Sequence, residues 1–282
     1  MTDPGFDLDR IGGRAALREL VDEVLACGVE ALRLQRAGAG ARAERKADKS
    51  PVTEADKLVE TRLRALITRR FPSATVLGEE QGGTMALAPG ARFVLDPIDG
   101  TRAFIRDLPG WSVLVGIEWD GVPVVGIAHL PATGGIYVAV KGDGAFGNGK
   151  RLRLSAVDAL EDAVVSHGAL HQFTDAGMVG LLAALGARTF TQRGYADFEQ
   201  YRYLLEGRID AVVDPDMKPW DLIAPCVIVR EAGGVFTSVE GDPSVYAGSG
   251  LAANPALHGK LLRLAHDASA ADATVRIAHD PR

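Results

Sequence analysis

In the stretch FVLDPIDGTRAF, Asp96 and Asp99 stand three positions apart at the end of an apolar, strand-like run, with Gly100 and Thr101 directly behind them. Pro97 fixes its own φ and removes a backbone donor, which stiffens the corner and leaves the Ile98 carbonyl to point with the two carboxylates. Gly100 lets a ligand approach the backbone closely, and a helix opening at Thr101 would turn the N–H groups of Gly100 and Thr101 toward an anion. Hard oxygen ligands beside a phosphate cradle suit Mg²⁺, which prefers octahedral oxygen coordination shared with substrate phosphate. The alternative is an ordinary Asp-Gly turn with incidental acids. Three further sites of acid weigh against it. Glu79 and Glu80 in VLGEEQG form an adjacent pair that is costly without a nearby cation. Asp221 in MKPWDLIAPC opens an apolar helix, where capping and metal binding are compatible roles. Asp56 in SPVTEAD falls in a first helical turn, a position that the helix dipole alone would favour.

These acids need elements to carry them. RAALRELVDEVLACGVEALRLQ has apolar residues at helical spacing, and the charged, Gly-Ala-rich residues 38–50 after it read as a mobile loop, from which Lys46 and Lys49 could close over a bound phosphate. A second helix follows from PVTEADKLVE. ATVLGEE and RFVLDPID are short strands that end at carboxylates, and Ser112 to Val140 is a meander with turns at Asp120-Gly121 and Gly134-Gly135. After about residue 155, strands DAVVSH, RTFTQ, RIDAVVD and VFTS alternate with helices expected over 175–186, 197–206, 221–232 and 255–266. The polar C-terminal tail reads as frayed. An α+β half, residues 1–154, joined to an α/β half, residues 155–282, is the expected organisation.

The composition sets outer bounds. With 282 residues, 47% hydrophobic, the chain can bury a large core. A net charge of −6 and the lack of a basic stripe with interleaved aromatics argue against nucleic acid as a partner. Cys27 and Cys226 suggest reduced, buried thiols rather than a disulfide framework. With no apolar signal core and no run long enough to span a bilayer, a soluble cytoplasmic protein with no membrane partner is expected. The glycines of GDGAFGNG have dinucleotide-fingerprint spacing, but a turn and strand follow them where a helix is required. Trp111 and Trp220, beside the acidic motifs, read as packing residues.

The motifs SPVTEAD, GEE, DPIDGT and KPWD with EAGG, in this order, resemble the inositol monophosphatase superfamily from about residue 12 to 265. The resemblance implies a layered αβαβα sandwich and Mg²⁺-dependent hydrolysis of a small phosphate monoester, with two or three ions per site. It implies that Glu79, Asp96 and the Ile98 carbonyl hold one metal, and that Asp96, Asp99 and Asp221 hold a second. Asp56 and Thr101, with Glu79, would serve catalysis by orienting the attacking water, Gly100 and Thr101 would bind phosphate, and Glu80 would stand behind the ligands. It also implies a homodimer. Two divalent ions roughly 3.5–4 Å apart can activate water and stabilise both the attacking and the leaving oxygen.

Substrate choice is to be read from RGYADFEQYRYLLEGRIDAVVDPDMKPWD. An acid at the start of this helix, Asp197, resembles the bacterial histidinol-phosphate phosphatases of the superfamily, although Ala196 stands where that subgroup usually has glycine. Asp197 is either a helix cap or a partner for the ammonium of histidinol. Arg193, Asp197, Asp99 and Asp221 are the expected substrate contacts. The alternatives are an inositol-1-phosphatase or another small sugar or nucleotide phosphatase. A non-catalytic phosphate-ligand binder is a different class, against which the retained Asp56 and Thr101 argue.

Overall fold

A computed structural model describes residues 5–47, 49–86 and 89–278, with side chains up to 269. The extreme N-terminal residues, Asp48 within the expected loop, and the last four residues of the expected tail lie outside it. In chain order the elements are α1 (Gly13–Arg36), β1 (Glu44–Arg45), β2 (Pro51–Val52), α2 (Glu54–Arg70), β3 (Thr75–Gly78), β4 (Ala91–Asp99), α3 (Thr101–Phe104), β5 (Ser112–Trp119), β6 (Val122–Leu130), β7 (Gly135–Val140), β8 (Gly144–Gly147) and β9 (Lys150–Arg151). Then follow β10 (Val164–His167), α4 (Leu170–Asp175), α5 (Val179–Arg188), β11 (Thr191–Arg193), α6 (Asp197–Leu205), β12 (Ala211–Pro215), α7 (Pro219–Glu231), β13 (Val235–Thr237), β14 (Ser249–Ala253) and α8 (Pro255–Ala278).

Side-chain alternation along the strands sorts these elements into five layers. In the seven-stranded sheet, ordered β3 to β9, Phe93, Leu95, Val113, Val115 and Ile127 turn to one face and pack with Ala16, Leu20, Val59 and Leu63 of α1 and α2. Val94, Leu114 and Ala128 turn to the other face and meet Phe198, Leu222, Ile223 and Ile228 of α6 and α7. Those two helices also cover one face of the second sheet, ordered β11-β10-β12-β14-β13, through Val212, Phe236 and Ala252. Its far face, with Val165, Val213 and Leu251, is closed by Leu181 and Leu185 of α5 and by Leu257 and Leu261 of α8. Period-two burial on both faces of each sheet is what an αβαβα sandwich requires.

Several elements differ from expectation. The stretch 38–50 is not structureless: a 3₁₀ turn, Ala39–Arg42, is followed by the β1–β2 hairpin, closed by the Lys46 N–H on the Ser50 carbonyl at 2.9 Å. Gly40 packs so closely on the backbone just after α3 that a Cβ there would lie 2.7 Å from the Ile105 Cα. The helix expected over 175–186 forms as α5, starting later at Val179, with a further short helix, α4, ahead of it, and α8 runs on to Ala278 through a stretch expected to fray. Strand β14 was not legible, because SGLAA is neither long nor β-branched; it forms by antiparallel pairing with β12 on one side and β13 on the other. GDGAFGNG forms β8, paired antiparallel with β7, and opens no nucleotide-binding helix.

One contact in this sandwich bears directly on the acids. Gly116 and Gly126 are cross-strand partners in β5 and β6, and α7 lies in the trough they leave. A Cβ on Gly126 would sit 2.5 Å from the Ala224 carbonyl oxygen, and one on Gly116 would sit 2.2 Å from Ile223 Cγ2. Backbone cannot yield as a flexible side chain can, so even Gly126→Ala should push α7 off the sheet and cost about 1–3 kcal/mol. Urea unfolding checks this; a stability within about 0.5 kcal/mol of the parent would show that the trough is not needed.

Candidate active site

Asp96 and Asp99 lie buried at the C-terminal end of β4, an inner strand of the seven-stranded sheet, and the β4–β5 register slips between them. The slip follows from Pro97, which cannot donate to the ladder. Asp221 comes from the third residue of α7, where Pro219 opens the helix and the Lys218 N–H donates to Asp221 Oδ2 at 2.8 Å. Capping and cluster membership coexist, as the sequence allowed. One carboxylate oxygen from each of Asp96, Asp99 and Asp221 lies within 4.8 Å of the others.

Packed acids of one sign hold protons tightly. Burial, then Glu79, Asp221 and Asp99, push the Asp96 carboxyl well above its ordinary range. Asp99 is pushed up to about 6 by burial, against the Ser112 hydroxyl and the Phe198 N–H that donate to its Oδ2 at 2.7 and 2.8 Å. Asp221 is pushed up to about 7 by burial and by Asp99. A donor set made wholly of oxygen, with charges that repel unless a cation stands among them, fits a divalent hard ion.

Glu79 lies just past β3, which runs parallel to β4. Its Oε1 accepts from Lys46 Nζ at 2.7 Å, and the same ammonium reaches Glu80 Oε1 at 2.5 Å. Burial nevertheless pushes the Glu80 carboxyl up to about 7. Lys46 is thus the lysine of the 38–50 stretch that reaches the acids, while Lys49 occupies a turn at φ 70.

Asp56 is fully buried in the first turn of α2, where its Oδ2 accepts from the Thr53 N–H at 2.7 Å and the Thr53 hydroxyl at 2.6 Å. Burial pushes its carboxyl up to about 6. Its Oδ1 stands 3.4 Å from the Thr101 hydroxyl, whose nearer acceptor is the Ile98 carbonyl at 2.9 Å. Helix α3 is a single turn, so the Gly100–Thr101 amides gain little from a helix dipole.

Gly100 is needed for a reason other than the one expected. Its φ is 84, and a Cβ there would lie 2.7 Å from Asp197 Oδ2, so the group that approaches it is Asp197. Asp197 stands at φ 56, and it does not cap its helix: the cap residue is Ala196, without a side-chain bond. Among the described residues the Asp197 carboxylate accepts no hydrogen bond. Burial, then Asp99, Asp214 and Asp221, push it well above the usual carboxylate range, against Arg102. Arg193 is exposed and turns back on its own strand, bonding the Gln192 carbonyl and the Thr191 hydroxyl. Trp111 is buried, with its indole N–H on Gln35 Oε1 at 3.1 Å, and is a packing residue.

Sequence reasoning passed over Glu60 and Asp214. Glu60 is fully buried and accepts the N–H groups of Glu80 at 2.8 Å and Gln81 at 3.0 Å, which fixes the turn that presents Glu79. The available signal was its place four residues after Asp56, on the same face of α2. Asp214 is buried beside Asp99 and Asp221 and pushed up to about 8, chiefly by burial.

Comparison with known proteins agrees with this architecture. Residues 17–270 match the Inositol monophosphatase family. A histidinol-phosphatase of Mycobacterium tuberculosis is 37% identical over 226 residues, covering 78% of this chain and 86% of that protein. One from Streptomyces coelicolor is 36% identical over 228 residues, covering 78% and 85%. Among solved structures, the extragenic suppressor protein SuhB of Bartonella henselae superposes with a TM-score of 0.81 at 27% identity, covering 89% of this chain and 98% of that one. With its layers, its clustered acids and its sequence all in agreement, the chain belongs to the inositol monophosphatase family.

Proposed function

We propose that this hydrolase of the inositol monophosphatase family cleaves histidinol phosphate to histidinol and phosphate, using Mg²⁺. Glu79, Asp96 and the Ile98 carbonyl would hold one ion, and Asp96, Asp99 and Asp221 a second. Divalent ions there would supply neutralisation of the phosphate charge and acidification of water. The chain's own part is positioning. The Thr101 hydroxyl has one proton and two acceptors in reach, the Ile98 carbonyl at 2.9 Å and Asp56 Oδ1 at 3.4 Å; were the Ile98 carbonyl to hold an ion, Asp56 would be the acceptor that remains, and the hydroxyl lone pairs would be free to orient an attacking water. Gly100 and Thr101 offer backbone donors to phosphate.

The observation that carries the substrate is Asp197: a carboxylate with no hydrogen-bond donor among the described residues, held at φ 56 against Gly100 and beside Asp99. An inositol ring offers it only hydroxyls. Histidinol offers an ammonium, and a charge-assisted pair contributes about 1.5–3 kcal/mol. Asp197→Asn should therefore lower kcat/KM for histidinol phosphate about ten- to a hundred-fold and leave glycerol 2-phosphate nearly unchanged. A panel with histidinol phosphate, inositol 1-phosphate, fructose 1,6-bisphosphate and adenosine 3′,5′-bisphosphate tests the reading. Efficient turnover of inositol 1-phosphate with none of histidinol phosphate would overturn it.

A further inference from the structure

The arch that carries Asp197 is clamped at both ends. Beyond it, the Phe198 N–H donates to Asp99 Oδ2 at 2.8 Å; before it, the Tyr195 N–H donates to Ser166 Oγ at 3.2 Å. Between these points Asp197 keeps a left-handed φ of 56, which a residue with a Cβ holds only when its surroundings impose it.

Ser166 is itself held. Its hydroxyl donates to Gln200 Oε1 at 2.8 Å, and Gln200 Nε2 donates to Asp214 Oδ2 at 2.7 Å, which also accepts from the Tyr201 hydroxyl at 3.3 Å. Ser166, Gln200 and Tyr201 are essentially inaccessible, and Asp214 is 2% exposed. These partners settle the direction of the chain of bonds. Asp214 Oδ2 accepts from both the Tyr201 hydroxyl and the amide NH₂ of Gln200, so Gln200 turns its oxygen to Ser166 and takes that hydroxyl's single proton. The Ser166 lone pair is then left for the Tyr195 N–H. Asp214 and Ser166 come from adjacent strands, β12 and β10, while Gln200 comes from α6; the relay ties the start of α6 to the second sheet.

We infer that Ser166 and Gln200 are positioning residues for substrate choice: the buried relay Asp214–Gln200–Ser166 fixes the Tyr195 N–H and so holds the Asp197 carboxylate over Gly100. The inference rests on the reading that Asp197 selects a cationic alcohol. Ser166 and Gln200 act through Asp197 and do not touch the reacting atoms.

Steady-state kinetics of the full chain with Mg²⁺ tests it, using histidinol phosphate and glycerol 2-phosphate. Ser166→Ala should raise KM for histidinol phosphate about five- to ten-fold, with kcat and glycerol 2-phosphate turnover within about two-fold, because a pairing present before and during reaction is lost. Ser166→Thr, which keeps the hydroxyl, should restore most of the difference. In an Asp197→Asn background Ser166→Ala should add no further loss, since the relay would have nothing left to position. Gln200→Leu should reproduce Ser166→Ala if it folds, but the serine variants carry the test without it. Equal losses on both esters, or additive losses in the double variant, would overturn the relay. A wild type that ignores histidinol phosphate would instead overturn the reading of Asp197, and the double variant would still judge the relay: coupled losses on the preferred ester support it, additive ones refute it.

Discussion

Asp96→Asn should abolish turnover, by on the order of 10³-fold or more, while leaving the metal-free protein folded and more heat-stable than the parent. Both halves follow from one carboxylate. Asp96 is the ligand proposed to serve both ions, so neutralising it weakens the whole metal assembly, and a 10³-fold loss corresponds to about 4 kcal/mol of transition-state stabilisation. In the folded protein without metal, the same group is buried at 2% exposure among Glu79, Asp99 and Asp221, and its charge is repelled from three sides. Asparagine is nearly isosteric and can still accept the Ile98 N–H that Asp96 Oδ1 takes at 3.1 Å. Phosphate release, calorimetric Mg²⁺ titration and thermal melts in chelator check the prediction together. Near-parental activity at saturating Mg²⁺ would remove Asp96 from its shared role, and a lower melting temperature would show that packing outweighs repulsion.

What could be read from the chain beforehand divides by the range of the interactions involved. The corner at Asp96–Pro97–Ile98–Asp99 was legible because its chemistry is local: a strand, a proline that breaks the ladder, and acids at fixed spacing. Asp221 and Asp56 were legible as residues of first helical turns, and the family motifs supplied the expectation that they meet. The roles of Gly100 and Asp197 were only half legible. Each residue drew attention separately, but their mutual contact joins segments about a hundred residues apart, which no spacing rule encodes. Glu60, Gln200 and Ser166 were passed over because a buried polar side chain announces itself only through its partners. Strand β14 was missed for a related reason: SGLAA has no strand propensity of its own and is a strand through its neighbours. Gly126 looked like any strand glycine until α7 was seen lying 2.5 Å from where its Cβ would be.

The same crowding of acids makes metal-free stability depend on pH in an unusual direction. Asp56 and Asp99 are held near 6, Asp221 near 7 and Asp214 near 8, against an ordinary aspartate value of 3.8. The folded chain therefore keeps protons that the unfolded chain has already lost. With more protons bound in the native state than in the unfolded one, stability falls as pH rises. The contribution from these groups is fully present below about pH 4 and is lost as pH passes through about 6 to 8. A tenfold difference in proton affinity between the two states corresponds to about 1.4 kcal/mol, but neighbouring acids share protons, so the loss over this window should total on the order of 3 kcal/mol rather than the sum over sites. Melts in chelator between pH 5 and 8 should show the fall, and Asp96→Asn should flatten it by removing one of the repelling charges. Saturating Mg²⁺ should reverse it, because a cation among the carboxylates favours their charged forms and binds the folded chain alone. A metal-free melting temperature that rises across this window, with Mg²⁺ adding no more at pH 8 than at pH 5, would show that burial and mutual repulsion do not hold these carboxyls in their protonated form, the crowding from which the metal site is inferred.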